Sequence, residues 1–153
     1  MRKNFVIVMT MLFCLLPASF YAAEKDAEGC KDHPLIPRMT GYYIAGCNKV
    51  PAGADLDIIR GNITESVRFE GKSIVFLYRP QPDLKIKPSE AQVRSHVGDA
   101  VKKLNGTLFG ITYGQEWPVY AVDKDGKKFW IVLLINSGKY FTGSYTCRII
   151  EKD

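Results

Sequence analysis

The chain predicts an α+β fold: a largely antiparallel sheet of about six to eight strands, with one main amphipathic helix packed on one face. Three observations predict it. Short apolar or alternating runs bounded by glycine, asparagine or proline recur from residue 41 onward, the pattern of strands and tight turns. Only the stretch 90–104 places apolar residues at helical spacing. The run Phe129-Trp130-Ile131-Val132-Leu133-Leu134-Ile135 is apolar throughout, so a strand there needs cover on both faces. Strands grouped around one helix, without strict strand–helix alternation, give the segregated α+β plan.

Residues 24–40 read as an extended, exposed leader, because they are charged and interrupted by Pro34 and Pro37. The first strand signal is 41–47, and Pro51-Ala52-Gly53 turns the chain. Leu56, Ile58 and Ile59 mark a weaker strand. Ser66-Val67-Arg68-Phe69-Glu70 alternates, Gly71-Lys72 supplies a turn, and Ile74-Val75-Phe76-Leu77-Tyr78 is a strong strand, so these two are expected to pair as a hairpin. Pro80, Pro82 and Pro88 keep the following stretch irregular. Ser89 with Gln92 three residues later forms a capping box, which satisfies two amide donors left open at a helix start. Val93, Val97, Ala100, Val101 and Leu104 share one helical face, and Asn105-Gly106 ends the helix by turning left-handed. Gly98 inside the helix costs up to about 1 kcal/mol against alanine and points to close packing there. Four strands are expected beyond it, at 107–113, 119–122, 129–135 and 140–150. Asp125-Gly126 joins the second to the third as a tight hairpin, and Asn136-Ser137-Gly138 joins the third to the fourth. The domain plan is therefore 1–23 as a signal, 24–40 as the leader and 41–153 as one α+β domain.

The signal follows from charge and hydropathy. Arg2 and Lys3 precede an apolar stretch, 5–16, and small residues follow before Glu24-Lys25-Asp26, the order of a secretory signal peptide. That stretch is shorter than the ~20 residues that span a bilayer, so cleavage is expected and no stable membrane insertion afterwards. Of 153 residues, about 130 then remain, enough to bury roughly two-thirds of the unfolded surface in one domain. Losing Arg2 and Lys3 lowers the formal charge from +5 to +3, too small an excess to indicate nucleic acid as a partner.

Cys14 leaves with the signal, so Cys30, Cys47 and Cys147 enter an oxidising compartment. Three pairings are possible. The preferred bridge is Cys30 to Cys47, because it ties the irregular leader to the first strand. A Cys147 pairing with Cys47, or between two chains, competes with it. In the preferred arrangement Cys147 is a small buried apolar residue in an alternating strand. Three cysteines and two histidines without CxxC or HxxxH spacing argue against a metal site, and no cofactor motif is present.

Catalytic apparatus is equally sparse. There is no G-x-S-x-G elbow, no H-E-x-x-H and no phosphate-binding loop. His96 falls at the edge of the helical apolar stripe, where a boundary role is the ordinary one. His33 lies beside Asp32, but neighbours on an extended chain point to opposite sides and cannot orient one another. Asp55/Asp57 and Asp123/Asp125 sit near turns, which favour aspartate for local hydrogen bonding. Lys124, Lys127 and Lys128 surround a hairpin tip that could meet an anionic lipid or glycan, although such tips are ordinarily just solvated. Tyr42, Tyr43, Trp117 and Tyr120 could form an aromatic ligand surface, but strand aromatics are more often core. Asn62-Ile63-Thr64 and Asn105-Gly106-Thr107 are formal glycosylation sequons, relevant only to a eukaryotic source.

The segment Cys30-Lys31-Asp32-His33-Pro34-Leu35-Ile36-Pro37-Arg38-Met39-Thr40-Gly41-Tyr42-Tyr43-Ile44, closed by Cys47, resembles the opening of a bacterial envelope domain of unknown function. That domain is similar to one found ahead of the peptidoglycan-binding part of some OmpA-family outer-membrane proteins, and to stand-alone exported proteins. Glu70-Gly71-Lys72 before a strand reaching Tyr78, a helix ending near Gly106 and the end Ile149-Ile150-Glu151-Lys152 extend the likeness over most of the mature chain. Thr40 departs from the proline expected before that glycine. No OmpA-like peptidoglycan-binding part is among these residues, so no wall-anchoring role is carried over. The resemblance implies a Gram-negative periplasmic or outer-membrane setting and supplies no activity.

The expectation is a non-catalytic, periplasmic or secreted interaction module of the envelope. It would contact an envelope protein or cell-wall component through Asp32, His33, Arg38, Tyr42 and Tyr43, held by the Cys30–Cys47 bridge. A structural alternative is that Arg38 and Asp32 merely pin the leader. A secreted inhibitor or effector that blocks an enzyme is the second reading, and a small hydrolase using His33 or Cys147 the third.

Overall fold

The computed structural model describes residues 23–152 except 51–52, 137–138 and 140. The expected signal lies outside the described residues apart from Ala23, as do Pro51, Ala52, Ser137, Gly138 and Tyr140 of the expected turns and last strand. The elements are β1 (Tyr42–Val50), β2 (Ala54–Arg60), β3 (Ile63–Phe69), β4 (Lys72–Pro80), α1 (Glu90–Lys103), β5 (Thr107–Thr112), β6 (Pro118–Lys124), β7 (Lys127–Leu134) and β8 (Tyr145–Glu151). The strands form one eight-stranded sheet in the order β1-β4-β8-β7-β6-β5-β2-β3, and every pairing is antiparallel. The fold is α+β in outline but mostly sheet. Among the described residues its α-helix is a single 14-residue element, smaller than the main packed layer expected.

The expected hairpin between β3 and β4 does not form. β3 pairs with β2, and β4 pairs with β1 and β8. Val50 lies opposite Ser73 and Ala54 opposite Phe69. Four steps along one strand thus match four steps back along the other. β1–β2 and β3–β4 are therefore one long two-stranded ribbon, kept in register past a corner at Gly53 and Glu70-Gly71. A Cβ at Gly53 would lie 1.5 Å from the Phe69 carbonyl oxygen, and one at Gly71 2.0 Å from that of Glu151. Gly71 also has φ +132°, so the corner tolerates only glycine there. The Gly71-Lys72 dipeptide, expected to reverse the chain, bends a ribbon that continues.

That bend supplies the second cover that β7 needs. Phe129, Ile131, Leu133 and Ile135 enter one core, with Phe76, Tyr78, Tyr145, Cys147, Ile149 and the buried helix residues Val93, Val97, Ala100 and Val101. Val132 on the opposite face enters a second core with Val119, Ile150, Ala54, Ile58 and Phe69, against which Trp130, Leu134, Leu56 and Val67 pack. Phe69, Phe109 and Trp130 meet there edge to face, with centroids 4.8–5.9 Å apart. Such contacts each add about 0.5–1.5 kcal/mol beyond the area they bury.

The helix starts as read. The Gln92 N–H donates to Ser89 Oγ at 3.3 Å, and the Ser89 N–H donates to Gln92 Oε1 at 2.8 Å. Asn105 ends it at φ +57°. A Cβ at Gly98 would lie 3.5 Å from Tyr120 Oη, an ordinary van der Waals contact, so the close packing expected there does not require glycine. Asp125 and Gly126 both take positive φ between β6 and β7, as a tight hairpin requires.

The leader is not simply exposed. Leu35 and Ile36 are buried at 3% and 0% exposure in the helix-side core. Two adjacent apolar side chains between Pro34 and Pro37 gain roughly 1.5–3 kcal/mol each by burial, which outweighs the leader's charged surroundings.

Candidate functional site

The site region grows from the way the leader is fastened. β1 carries a bulge between Ile44 and Gly46. Strict alternation would send Cys47 to the face opposite Tyr42 and Ile44. The extra residue turns it onto the same face, opposite Phe76, beside the first core. There it bonds Cys30, with Cα atoms 5.8 Å apart, as preferred from the sequence.

A polar clamp sits beside this bridge. Arg38 donates from Nη1 and Nη2 to the two carboxylate oxygens of Asp26 at 2.5 and 2.7 Å, and from Nε to Asp32 at 2.7 Å. Asp26 also accepts the Ile44 N–H at 2.9 Å, and the Ala27 N–H donates to the Ile44 carbonyl at 2.8 Å. The leader thus caps the outer edge of β1. Hydrogen bonds from the Arg38 guanidinium hold the Asp26 carboxyl below the usual carboxylate range, against the opposing cost of burial. The same bonds raise Arg38. The sequence reading found Asp32 as a partner for Arg38 but missed Asp26, which makes the two-pronged contact.

His33 follows Asp32 in the middle of the leader. Its Nδ1 accepts the Leu35 N–H at 3.3 Å, so the neutral ring carries its proton on Nε2. The ring lies edge-on to Phe76 and Phe129, 6.2 and 6.4 Å away. Burial lowers its pKa, Glu151 acts in the opposite direction, and Lys124 adds to the lowering. His33 also lines a cleft of about 720 Å³ at the ribbon corner. Val50, Ile74 and Ile149 give that cleft apolar surface, and Lys49, Arg68, Glu70, Lys72 and Glu151 give it charge. Arg68 pairs with Glu70 at 3.6 Å, and Lys127 with Glu151.

The remaining site candidates do not gather here. Tyr42 is buried, donates its hydroxyl to the Gly143 carbonyl at 2.6 Å and packs on Tyr145, and burial raises its pKa. Tyr43 is half-buried and alternates to the opposite face. His96 Nε2 lies 2.8 Å from the Pro37 carbonyl oxygen, a tie between helix and leader. Cys147 is a free thiol at 0% exposure, and burial pushes its pKa up to about 12. At neutral pH it stays protonated and out of reach of a substrate, and the His33 cleft is lined without it. Among the described residues no group of three or more His, Cys, Asp or Glu could hold a metal, and no helix is long and apolar enough to cross a membrane.

The cleft residues Lys49, Lys72 and Glu151 carried no local signal of a site. They come from three strands, and the registers that set Val50 opposite Ser73 and Lys72 opposite Glu151 bring them together. Compared with known proteins, the chain matches no family model, no curated protein and no solved structure.

Proposed function

We propose that the protein is an exported, non-catalytic interaction module of the cell envelope, periplasmic or secreted, which displays its leader to an envelope protein or cell-wall component. One observation carries this reading. The leader is fastened at Cys30, Arg38 and Ile36, yet Lys31, Asp32, Pro34 and Pro37 remain exposed along it. A loop held in one conformation binds without first losing its own freedom, which favours recognition over a flexible tail. The Cys30–Cys47 bridge fits an oxidising compartment, and the resemblance of 30–47 to an exported envelope domain points the same way.

The test is site-specific photocrosslinking in the native envelope. A probe at Pro34 is expected to capture a defined envelope component, while one at Ile86, 84% exposed on the β4–α1 connection, captures none. Equal labelling from the two positions would remove the leader from the argument. Recovery from the cytosol with Cys30 and Cys47 reduced would remove the export reading.

A further inference from the structure

One residue holds the turn at 33–36 twice. The Ile36 N–H donates to the His33 carbonyl at 3.2 Å, a bond that any residue at 33 could accept. The Leu35 N–H donates to His33 Nδ1 at 3.3 Å, which the ring can accept only while neutral. This second bond is set into the fold, since Leu35 is 3% exposed and the ring is edge-on to Phe76 of β4 and Phe129 of β7. A proton added to the ring puts a donor on Nδ1 against the Leu35 donor, and the two cannot both be satisfied there. The charged ring must then leave its place to be hydrated.

The surroundings favour the neutral ring. Burial acts most strongly, Glu151 of β8 opposes it while itself paired with Lys127, and Lys124 of β6 acts with burial. Lys49 of β1, Arg68 of β3, Glu70 at the corner and Lys72 of β4 line the same cleft as the ring. Within the leader, Lys31 and Asp32 precede it, and Asp32 accepts from Arg38. The chain's second histidine is no rival. His96 Nε2 faces the Pro37 carbonyl oxygen, which can only accept, so that nitrogen carries a proton in either charge state.

We propose that His33 is an acid-operated latch on the leader. Neutral, it fixes the turn that presents Pro34; protonated, it releases Leu35 and loosens that turn, so contact through the leader weakens in acid. This rests on the reading that the leader is the contact surface, and it gives that surface its regulation.

Hydrogen exchange followed by NMR on the purified protein reads the latch without any partner. Between pH 7 and about pH 4.5, above the range in which Asp26 titrates, the protection factor of the Leu35 amide should fall at least about fivefold, while Val93 in α1 and Phe76 in β4 keep theirs. In H33N the side-chain oxygen can accept the same N–H two residues on and does not titrate, so protection should survive at both pH values. In H33A it should be low at both. An acid-insensitive Leu35 amide in the parent, or an equal acid loss in H33N, would overturn the proposal. A photocrosslinking probe at Pro34 reads the consequence. Capture should weaken in acid for the parent and persist for H33N; the same response from both would overturn the link between latch and contact. If no partner is captured at either pH, the interaction reading alone is removed, because the Leu35 amide reports the latch without it.

Discussion

Replacing Arg38 with alanine removes three hydrogen bonds from a charged donor, two to Asp26 and one to Asp32. The side chains of Arg38 and Asp26 are 27% and 31% exposed. The pair therefore lies between surface ion pairs, worth about 0–1 kcal/mol, and buried ones whose breakage costs about 3–5 kcal/mol. A loss of about 2 kcal/mol is expected for R38A, which lowers the melting temperature by ~7 °C for a domain near 130 residues. D26A should cost about as much, because it also strands the Ile44 N–H. The double variant R38A/D26A should then show a coupling of about 1 kcal/mol or more. The pH dependence gives a second handle. The folded-state pKa of Asp26 is lowered below its ordinary 3.8, so the unfolded chain binds more protons in that window. The stabilisation is present in full above the unfolded value and lost as pH falls through the folded one. Urea unfolding at pH 7 and near pH 2.5 should show the parent and R38A converging at the acid end. A coupling below about 0.3 kcal/mol, or an R38A deficit that persists unchanged in acid, would refute the clamp.

Four other outcomes follow from the geometry. Substituting Cys30 and Cys47 together with serine opens a loop with a sequence separation of 17, and should cost about 3 kcal/mol in urea unfolding; a loss under 1 kcal/mol would mean the leader is held without the bridge. Gly71→Ala should prevent folding or destabilise far more than Gly61→Ala, because a Gly71 Cβ meets the Glu151 carbonyl oxygen whereas at Gly61 nothing lies within 4 Å; Gly61, at φ +61°, should cost only the roughly 1–2 kcal/mol of a left-handed residue. His33 should titrate in NMR below 6.5 when folded and return upward in urea. Its stabilising contribution is therefore present above the unfolded pKa and lost as pH falls through the folded one, and a native pKa at or above 6.5 contradicts its packing. The Cys147 thiol, pushed up to about 12, should react with a disulfide reagent only on unfolding; rapid labelling of the native protein would show that it is accessible after all.

Local chemistry made much of this molecule readable. Ser89 and Gln92 announced the helix start, Asn105 its end and Asp125-Gly126 a hairpin, because each acts through atoms within a few residues. The all-apolar run at 129–135 showed that two cores were needed, since alternate residues of a strand face opposite ways. The Cys30–Cys47 bridge was legible as a preference. What covers the second face was not. The Gly71 corner looks like a turn in sequence, and whether a glycine reverses a strand or bends it depends on which strand lies opposite.

The same division holds for the candidate site. Sequence by itself determined the elements, the cap, the need for a doubly covered strand and the specific polar cluster around Asp32, His33 and Arg38, all consequences of short-range geometry and burial pattern. Tertiary structure alone decided that Asp26 shares Arg38, that Tyr42 is spent in the core, and that Lys49, Lys72 and Glu151 meet His33 at one corner. Those contacts join residues up to about a hundred positions apart, and nothing short of the register between strands records such a meeting.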